Sequence, residues 1–316
     1  MRVEPGKGAL ELPLGLPPVA IVLEQMAHND DPLRIFPAKM KGQIVRVALT
    51  WIAVMWMTSV SALADTPLDA RVVMSGHSLT DPIPAMLLPM VRASGARGAV
   101  IERSTIPGSP MDWRWEHRAA PVDARHEIAE YDLLVLTERV PLLNTMVYHN
   151  SADEALRWAS HAWAHGAATV LYASWTSWVT GADGEDDEAR AGLSLRERLL
   201  REQARWEEIR DHVNTERPDG MPEMRMIPGP PIMLALMDAI EADAAPGLTD
   251  IRDIFHDNIH VNDLGAYLMA LAHYAVIYGR DPQEVPLALG RTPVPEPELA
   301  HWMQGLVAQV VAQQTP

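Results

Sequence analysis

From residue 71 onward, short apolar runs alternate with longer amphipathic stretches. Val72, Val73 and Met74 run into Ser75-Gly76, the pattern of a strand buried on both faces that leaves its sheet at a turn. Similar runs stand at 99–101, 131–136, 168–172 and 224–227. Between the first two, Ile83, Met86, Leu87, Met90 and Val91 recur at helical spacing behind a proline. A helix is predicted over 151–165, with Ser151 and Glu154 in capping-box spacing. Leu195, Leu199, Trp206, Ile209 and Val213 mark one face of a long charged helix, and further helices are predicted over 232–242, 262–278 and 296–309. Strands alternating with helices predict an α/β protein: a three-layer α/β/α sandwich on a mainly parallel five-stranded sheet, built as one domain over 65–316. Ligands of such sheets gather at the carboxyl ends of the strands, which places Ser78 and Gly108 on the functional edge.

The first 64 residues break this pattern. Residues 40–64 read as a positive start (Lys41, Arg46), an uncharged and mostly apolar run over 47–60, and an Ala62-Leu63-Ala64 cleavage signal. Those are the parts of a secretory signal peptide in their usual order, and the apolar run falls short of the ~20 residues of a membrane span. Export to the periplasm or medium is expected, with no membrane attachment after cleavage. Residues 1–39 are proline-rich and without sustained period, and are expected to be an unordered, over-extended start ahead of Met40.

Charge and composition narrow the partners. The chain carries a net −16, which leaves no basic face for nucleic acid and disfavours anionic lipid and densely anionic polymers. Residues 65–316 hold 20 of the 26 basic and 37 of the 42 acidic side chains. Every basic residue there is arginine, which rules out a lysine general base or Schiff base in that part. With no cysteine, disulfides, thiolate metal sites and cysteine nucleophiles are excluded together. The acidic, glycine-containing run over 181–192 reads as a solvated loop, since its spacing matches no calcium-binding loop. Composition leaves the oligomeric state open.

Two clusters carry candidate chemistry. Gly76-His77-Ser78-Leu79 follows the first strand, and Asp257-Asn258-Ile259-His260 precedes a strongly apolar helix. A carboxylate three residues from a histidine reaches the imidazole on one turn, fixes its tautomer and stabilises its cation. The other ring nitrogen is then free to take a proton from a serine hydroxyl, which is a poor nucleophile otherwise. Each cluster alone also reads as structural: Ser78 as a helix N-cap, Asp257 and His260 as a capping pair. Ser75 is an alternative nucleophile without a preceding glycine, and His256 with His260 has the i, i+4 spacing of a metal pair without the rest of a metal motif.

Together the clusters resemble the SGNH, or GDSL-type, serine hydrolases. Gly76-His77-Ser78-Leu79 stands where that family has its G-D-S-L turn, and Asp257-Asn258-Ile259-His260 stands for its late D-x-x-H block, followed by Asn262 and Gly265. The likeness covers most of 70–280. It implies a flavodoxin-like sandwich and an esterase with Ser78 as nucleophile, His260 as base and Asp257 as its partner, with neither cofactor nor metal. The backbone N–H groups of Ser78 and Gly108 would form the oxyanion hole. The family's third block supplies an asparagine donor. This chain has Leu136-Thr137-Glu138-Arg139 there, leaving Asn144 or Arg139 to substitute. His77 replaces the usual aspartate and is expected either to be structural or to line the site, and Glu138 either to contact substrate or to tie down Arg139.

Ten tryptophans stand against two phenylalanines. Trp113, Trp115, Trp175 and Trp178 follow strands on the functional edge, where flat indoles suit stacking on sugar rings, and Trp113 and Trp175 are expected in substrate binding. Trp158, Trp163 and Trp206 lie on predicted helices and are expected in the core. The substrate expected is an O-acyl ester, O-acetyl in the simplest case, with a saccharide as the favoured alcohol and a lipid or small acyl ester as the alternative substrate. An acyltransferase, or a non-catalytic carbohydrate-binding protein on the same fold, are the alternatives.

Overall fold

The computed structural model describes residues 66–179 and 192–314. The expected leader over 40–64, the stretch before it and all but the last residue of the acidic run over 181–192 lie outside the described residues. Among the described residues, no helix is long and apolar enough to cross a membrane.

The chain alternates as its pattern predicts. Strand β1 (Arg71–Gly76) leads to helix α1 (Ile83–Ala93), then β2 (Val100–Thr105), the short helix α2 (Met111–Glu116), β3 (Ala120–Pro121) and the single turn α3 (Ala124–Glu127). There follow β4 (Leu133–Leu136), the turn α4 (Leu142–Thr145), α5 (Ser151–Ala164), β5 (Ala168–Ala173), α6 (Leu195–Glu216), β6 (Arg225–Pro228), α7 (Gly229–Glu241), α8 (Asp263–Tyr278) and α9 (Pro297–Gln314). The sheet has the order β3-β2-β1-β4-β5-β6 and is parallel except for β3.

The sheet therefore has six strands, not five. The addition, β3, is antiparallel and pairs only Ala120 and Pro121 with Thr105 and Ser104. Two residues carry no periodicity, and a proline is tolerated there because an edge strand leaves one side unpaired.

Chain direction dictates the layers. From β1 the crossover to β2 runs one way across the sheet, while those through β4, β5 and β6 run the other. Right-handed crossovers therefore put α1 on one face and α5 with α6 on the opposite one. Helix α8 packs along α1 and closes the first face, and α5 packs along α6 on the second. Nearly every side chain of α8 from Gly265 to Tyr278 is buried, which explains its lack of a polar face. The order reverses at β1, so a crevice opens beyond the carboxyl ends of β1 and its neighbours.

Two local expectations fail. Helix α5 opens not on a Ser151 cap but on Asn150, at φ 49° and with no side-chain cap, and Ser151 is fully buried as the first helical residue. The capping box is formed instead by Ser194 and Glu197 at the head of α6. Trp163 is 39% exposed on the outer side of α5, whereas Trp158 and Trp206 are core residues.

Candidate active site

The residue ending β1 must be glycine. A Cβ on Gly76 would stand 2.0 Å from Thr80 Oγ1 and 2.8 Å from Thr80 Cβ. The tight exit folds at once into turns, with Thr80 N–H donating to His77 C=O at 2.9 Å and Ile83 N–H to Thr80 C=O at 3.0 Å. His77 faces inward. Its Nε2–H donates to the Glu138 carbonyl at 3.0 Å, which leaves Nδ1 as acceptor for Leu79 N–H at 3.4 Å. Burial, helped by the nearby Arg114 cation, holds this imidazole down at about 3, so it is neutral. With His77 turned in, Ser78 is left half-buried on the rim of a cavity of about 500 Å³ that Leu79, Pro82, His256 and His260 also line.

The second cluster is a compact loop pinched by an antiparallel bridge between Phe255 and Val261. Asp257 Oδ1 accepts the N–H groups of Ile259 at 2.9 Å and His260 at 2.6 Å, and Oδ2 accepts His260 Nδ1–H at 2.7 Å. Burial alone would raise the Asp257 carboxyl, but these three donors outweigh it and bring it down to about 2. The tautomer with the proton on Nδ1 leaves His260 Nε2 as an acceptor, and Ser78 Oγ–H lies 2.8 Å from it. Ser78, His260 and Asp257 thus form one hydrogen-bonded row, although 182 residues separate its serine and histidine.

The loop after β5 holds the histidine loop in place. Trp175 Nε1–H donates to the Ile259 carbonyl at 2.8 Å and Trp178 Nε1–H to that of Asp257 at 2.9 Å. Trp178 N–H and Ser177 Oγ–H both donate to the Asn258 carbonyl at 3.0 Å. Three successive carbonyls, at 257, 258 and 259, are therefore clamped from one side.

Beside the Ser78 turn, Ile106 N–H donates to the Gly76 carbonyl at 3.1 Å and so hangs the 106–109 turn from the end of β1. Gly108 adopts φ +67°, a conformation that favours glycine. Among the described residues, neither Ser78 N–H nor Gly108 N–H has an acceptor. Gly108 lines a second cavity of about 780 Å³, shared with Trp113, Arg139, Asn144 and Tyr148.

Below this edge lies a buried polar layer. Arg114 is 2% exposed; its Nε–H donates to Ser75 Oγ at 3.2 Å, and its terminal nitrogens donate to the carbonyls of Ser109 and Thr137. One guanidinium thus ties together β1, the Gly108 turn and the exit of β4. Burial pulls Arg114 down to about 10, against the pull of the Glu138 and Asp112 carboxylates, and it remains a cation at neutral pH. Glu138 Oε1 accepts Met111 N–H at 2.9 Å and Arg139 N–H at 2.6 Å. Burial pushes the Glu138 carboxyl up, while Arg114 and these N–H groups oppose the rise.

Three residues assigned to substrate contact are enclosed, and of these His77 takes its structural alternative and Glu138 ties down the Arg139 backbone. Glu138 is 0%, Trp175 1% and His77 3% exposed. Each turns inward onto backbone groups of turns, loops or a helix start that have no ladder or helix partner, since buried polar groups must be paired. Trp113 is 52% exposed, stacks on His117 at 3.7 Å and does face a cavity, as does Asn144. The sequence reading missed Arg114. Its only trace is an arginine set between Trp113 and Trp115 just after the Gly108 turn. Trp175 and Trp178, expected on an aromatic rim, form a clamp on the 257–259 carbonyls instead. Among the described residues, no cluster of side chains fits a metal ion, and the rings of His256 and His260 stack with centroids 5.8 Å apart.

No protein-family model matches the chain, and no curated protein matches it. Solved structures do. A DUF4886 family protein from Bacteroides uniformis ATCC 8492 matches with a TM-score of 0.56 at 13% identity, over 77% of this chain and 95% of that one. An acetyl xylan esterase matches with a TM-score of 0.41 at 13% identity, over 65% of this chain and 98% of that one, a likeness too loose to carry an argument. At such identities the likeness shows the fold alone: this chain shares an α/β/α sandwich with the Bacteroides protein.

Proposed function

We propose that the protein is a serine esterase of the SGNH kind that removes an O-acyl group, acetyl in the simplest case, from a saccharide. The row Ser78 Oγ, His260 Nε2, His260 Nδ1 and Asp257 Oδ2, with links of 2.8 Å and 2.7 Å, carries the reading. In it, Ser78 Oγ attacks the ester carbonyl carbon as His260 Nε2 takes its proton. The carbonyl oxygen becomes an oxyanion and accepts hydrogen bonds from Ser78 N–H and Gly108 N–H. Asp257 stabilises the imidazolium and does not itself take the proton. The tetrahedral adduct collapses as His260 returns the proton to the leaving alcohol, leaving an acyl ester on Ser78. Water attacks that ester, gives its proton to His260, and the acid departs as the proton goes back to Ser78. Depression of the Asp257 carboxyl to about 2 keeps it ionised through the whole working pH range.

A fluorophosphonate probe followed by peptide mapping tests the nucleophile. The expected label is on Ser78, lost in Ser78→Ala, with aryl-acetate hydrolysis falling at least ~1,000-fold in Ser78→Ala and His260→Ala. A label on another serine, or turnover surviving Ser78→Ala, overturns the assignment. The missing asparagine after β4 favours one rival, a non-catalytic saccharide binder, which predicts neither label nor turnover in the unaltered protein. Adding a free saccharide to the esterase assay separates the transferase: acylated saccharide forms at the expense of free acid only if a sugar hydroxyl displaces water.

A further inference from the structure

The cavity of about 780 Å³ beside Gly108 has a chemistry that the esterase mechanism does not use. Arg139 stands in its wall. The backbone of Arg139 is pinned, its N–H donating to Glu138 Oε1 at 2.6 Å and its C=O accepting Thr145 Oγ1–H at 3.2 Å. Its guanidinium has no carboxylate partner among the described residues, in a chain where acidic side chains far outnumber basic ones. Asp112, next to the cavity-lining Trp113, is already engaged: Oδ2 by His149 Nδ1 at 3.0 Å, and Oδ1 by Trp113 N–H at 2.6 Å. Asn144 Oδ1 is buried in the same region and has no hydrogen-bond partner. Trp113, 52% exposed, and Tyr148, 84% exposed, supply flat aromatic surface to the same cavity.

An unpaired planar cation and exposed aromatic faces around one cavity define a ligand with a carboxylate and an apolar ring face. We propose that this cavity binds a carboxylated sugar of the hexuronate type as the alcohol portion of the ester. Arg139 forks onto its carboxylate, and Trp113 or Tyr148 covers the ring. The proposal rests on the esterase reading for the identity of the ligand as an ester, and Gly108, which supplies an oxyanion donor in that reading, lies in the same wall. The net charge of −16 repels a densely charged polymer at range, so the ligand is a short or sparsely carboxylated saccharide.

The test compares an O-acetylated hexuronate disaccharide with its methyl ester, in the unaltered full chain, in Arg139→Gln and in Arg139→Lys. The expected kcat/KM favours the free acid by about tenfold or more, the gain of a charge-assisted pair. The preference falls to near one in Arg139→Gln and is partly kept in Arg139→Lys. Equal rates on acid and methyl ester in the unaltered protein overturn the proposal. So does an Arg139→Gln variant that slows both equally, since that makes Arg139 a general donor to the reaction. A simple aryl acetate, which has no sugar, reports the esterase reading separately. Calorimetry with the deacetylated disaccharide and Ser78→Ala reads the cavity without turnover: binding there that Arg139→Gln abolishes supports the cavity even if no ester is cleaved, and no binding refutes it.

Discussion

Trp175→Phe separates clamping from rim contact. Trp175 is 1% exposed, and its Nε1–H holds the Ile259 carbonyl at 2.8 Å, one residue before His260. Phenylalanine leaves a void of roughly 40 Å³, which costs about 1 kcal/mol at the measured dependence on cavity volume. The part-buried Ile259 carbonyl also loses its donor, for about 1–2 kcal/mol more. The sum, about 2–3 kcal/mol, lowers Tm by roughly 4–12 °C in a domain of this size. The larger effect is on the chemistry, because the freed loop carries His260, and a displacement near 1 Å at a reacting group is worth about 100-fold. Aryl-acetate hydrolysis is therefore expected to fall about 10–100-fold. Trp158→Phe is the control. Trp158 is 2% exposed and its Nε1–H donates to the Met111 carbonyl at 3.1 Å, so the chemical change and the stability loss match while the 257–260 loop is untouched. If both variants lose stability alike and Trp175→Phe is no slower than Trp158→Phe, the tryptophan does not set the position of His260 and the clamp is refuted.

Two further outcomes follow from buried groups. His77 and His273 are held neutral, at about 3 and about 4, chiefly by burial, so between those values and 6.5 the unfolded chain binds more protons than the folded one. Stability is therefore fully present above 6.5 and is lost as pH falls below it, by about 2 kcal/mol for each histidine between pH 6.5 and 5. Urea unfolding at pH 7.5 and pH 5 measures the loss, and His273→Leu should remove about half of it; an unchanged loss in that variant contradicts the assignment. Gly76→Ala forces a Cβ to within 2.0 Å of Thr80 Oγ1. Overpacking there costs about 1–3 kcal/mol and shifts the Ser78 turn, so wild-type Tm together with wild-type esterase rate in that variant rules out the close approach.

How far the sequence could be read depended on whether each residue acts through pattern or through partners. The parallel strands were legible because a strand covered on both faces must be a continuous apolar run, as Leu133–Leu136 is. The Ser78 and Asp257–His260 clusters were legible because short-range geometry binds Asp257 to His260 within one turn, and the sheet rule puts Ser78 at a strand end. The inward turn of His77, Glu138 and Trp175 was not legible. Polar and aromatic residues at strand ends look alike whether they face a ligand or a stranded backbone group, and only tertiary structure decides which carbonyl or N–H needs them. Arg114 was hidden for the same reason, since a charged residue beside two tryptophans reads as a surface position until three acceptors converge on it. The two-residue β3 was illegible for want of length.

The exit of β4 shows how a different local chemistry can serve the same edge. Where the resembling family offers an outward asparagine amide, this chain places Thr137, Glu138 and Arg139. Thr137 spends its carbonyl on Arg114, and Glu138 turns its carboxylate inward onto Met111 N–H and Arg139 N–H. A buried carboxylate accepting two N–H groups fixes the start of α2 and the residue that enters the larger cavity at once. Arg114 fixes the Gly108 turn that precedes α2. In the proposed mechanism the electrostatic work of the absent amide is then divided. The backbone N–H groups of Ser78 and Gly108, left without acceptors, take the oxyanion, and their positions are held by the charged layer beneath. Preorganisation of such donors counts because they need not reorient as charge develops. In that mechanism the rigid buried layer lets the edge dispense with a third side-chain donor, and in the proposed saccharide complex it leaves Arg139 to face the ligand.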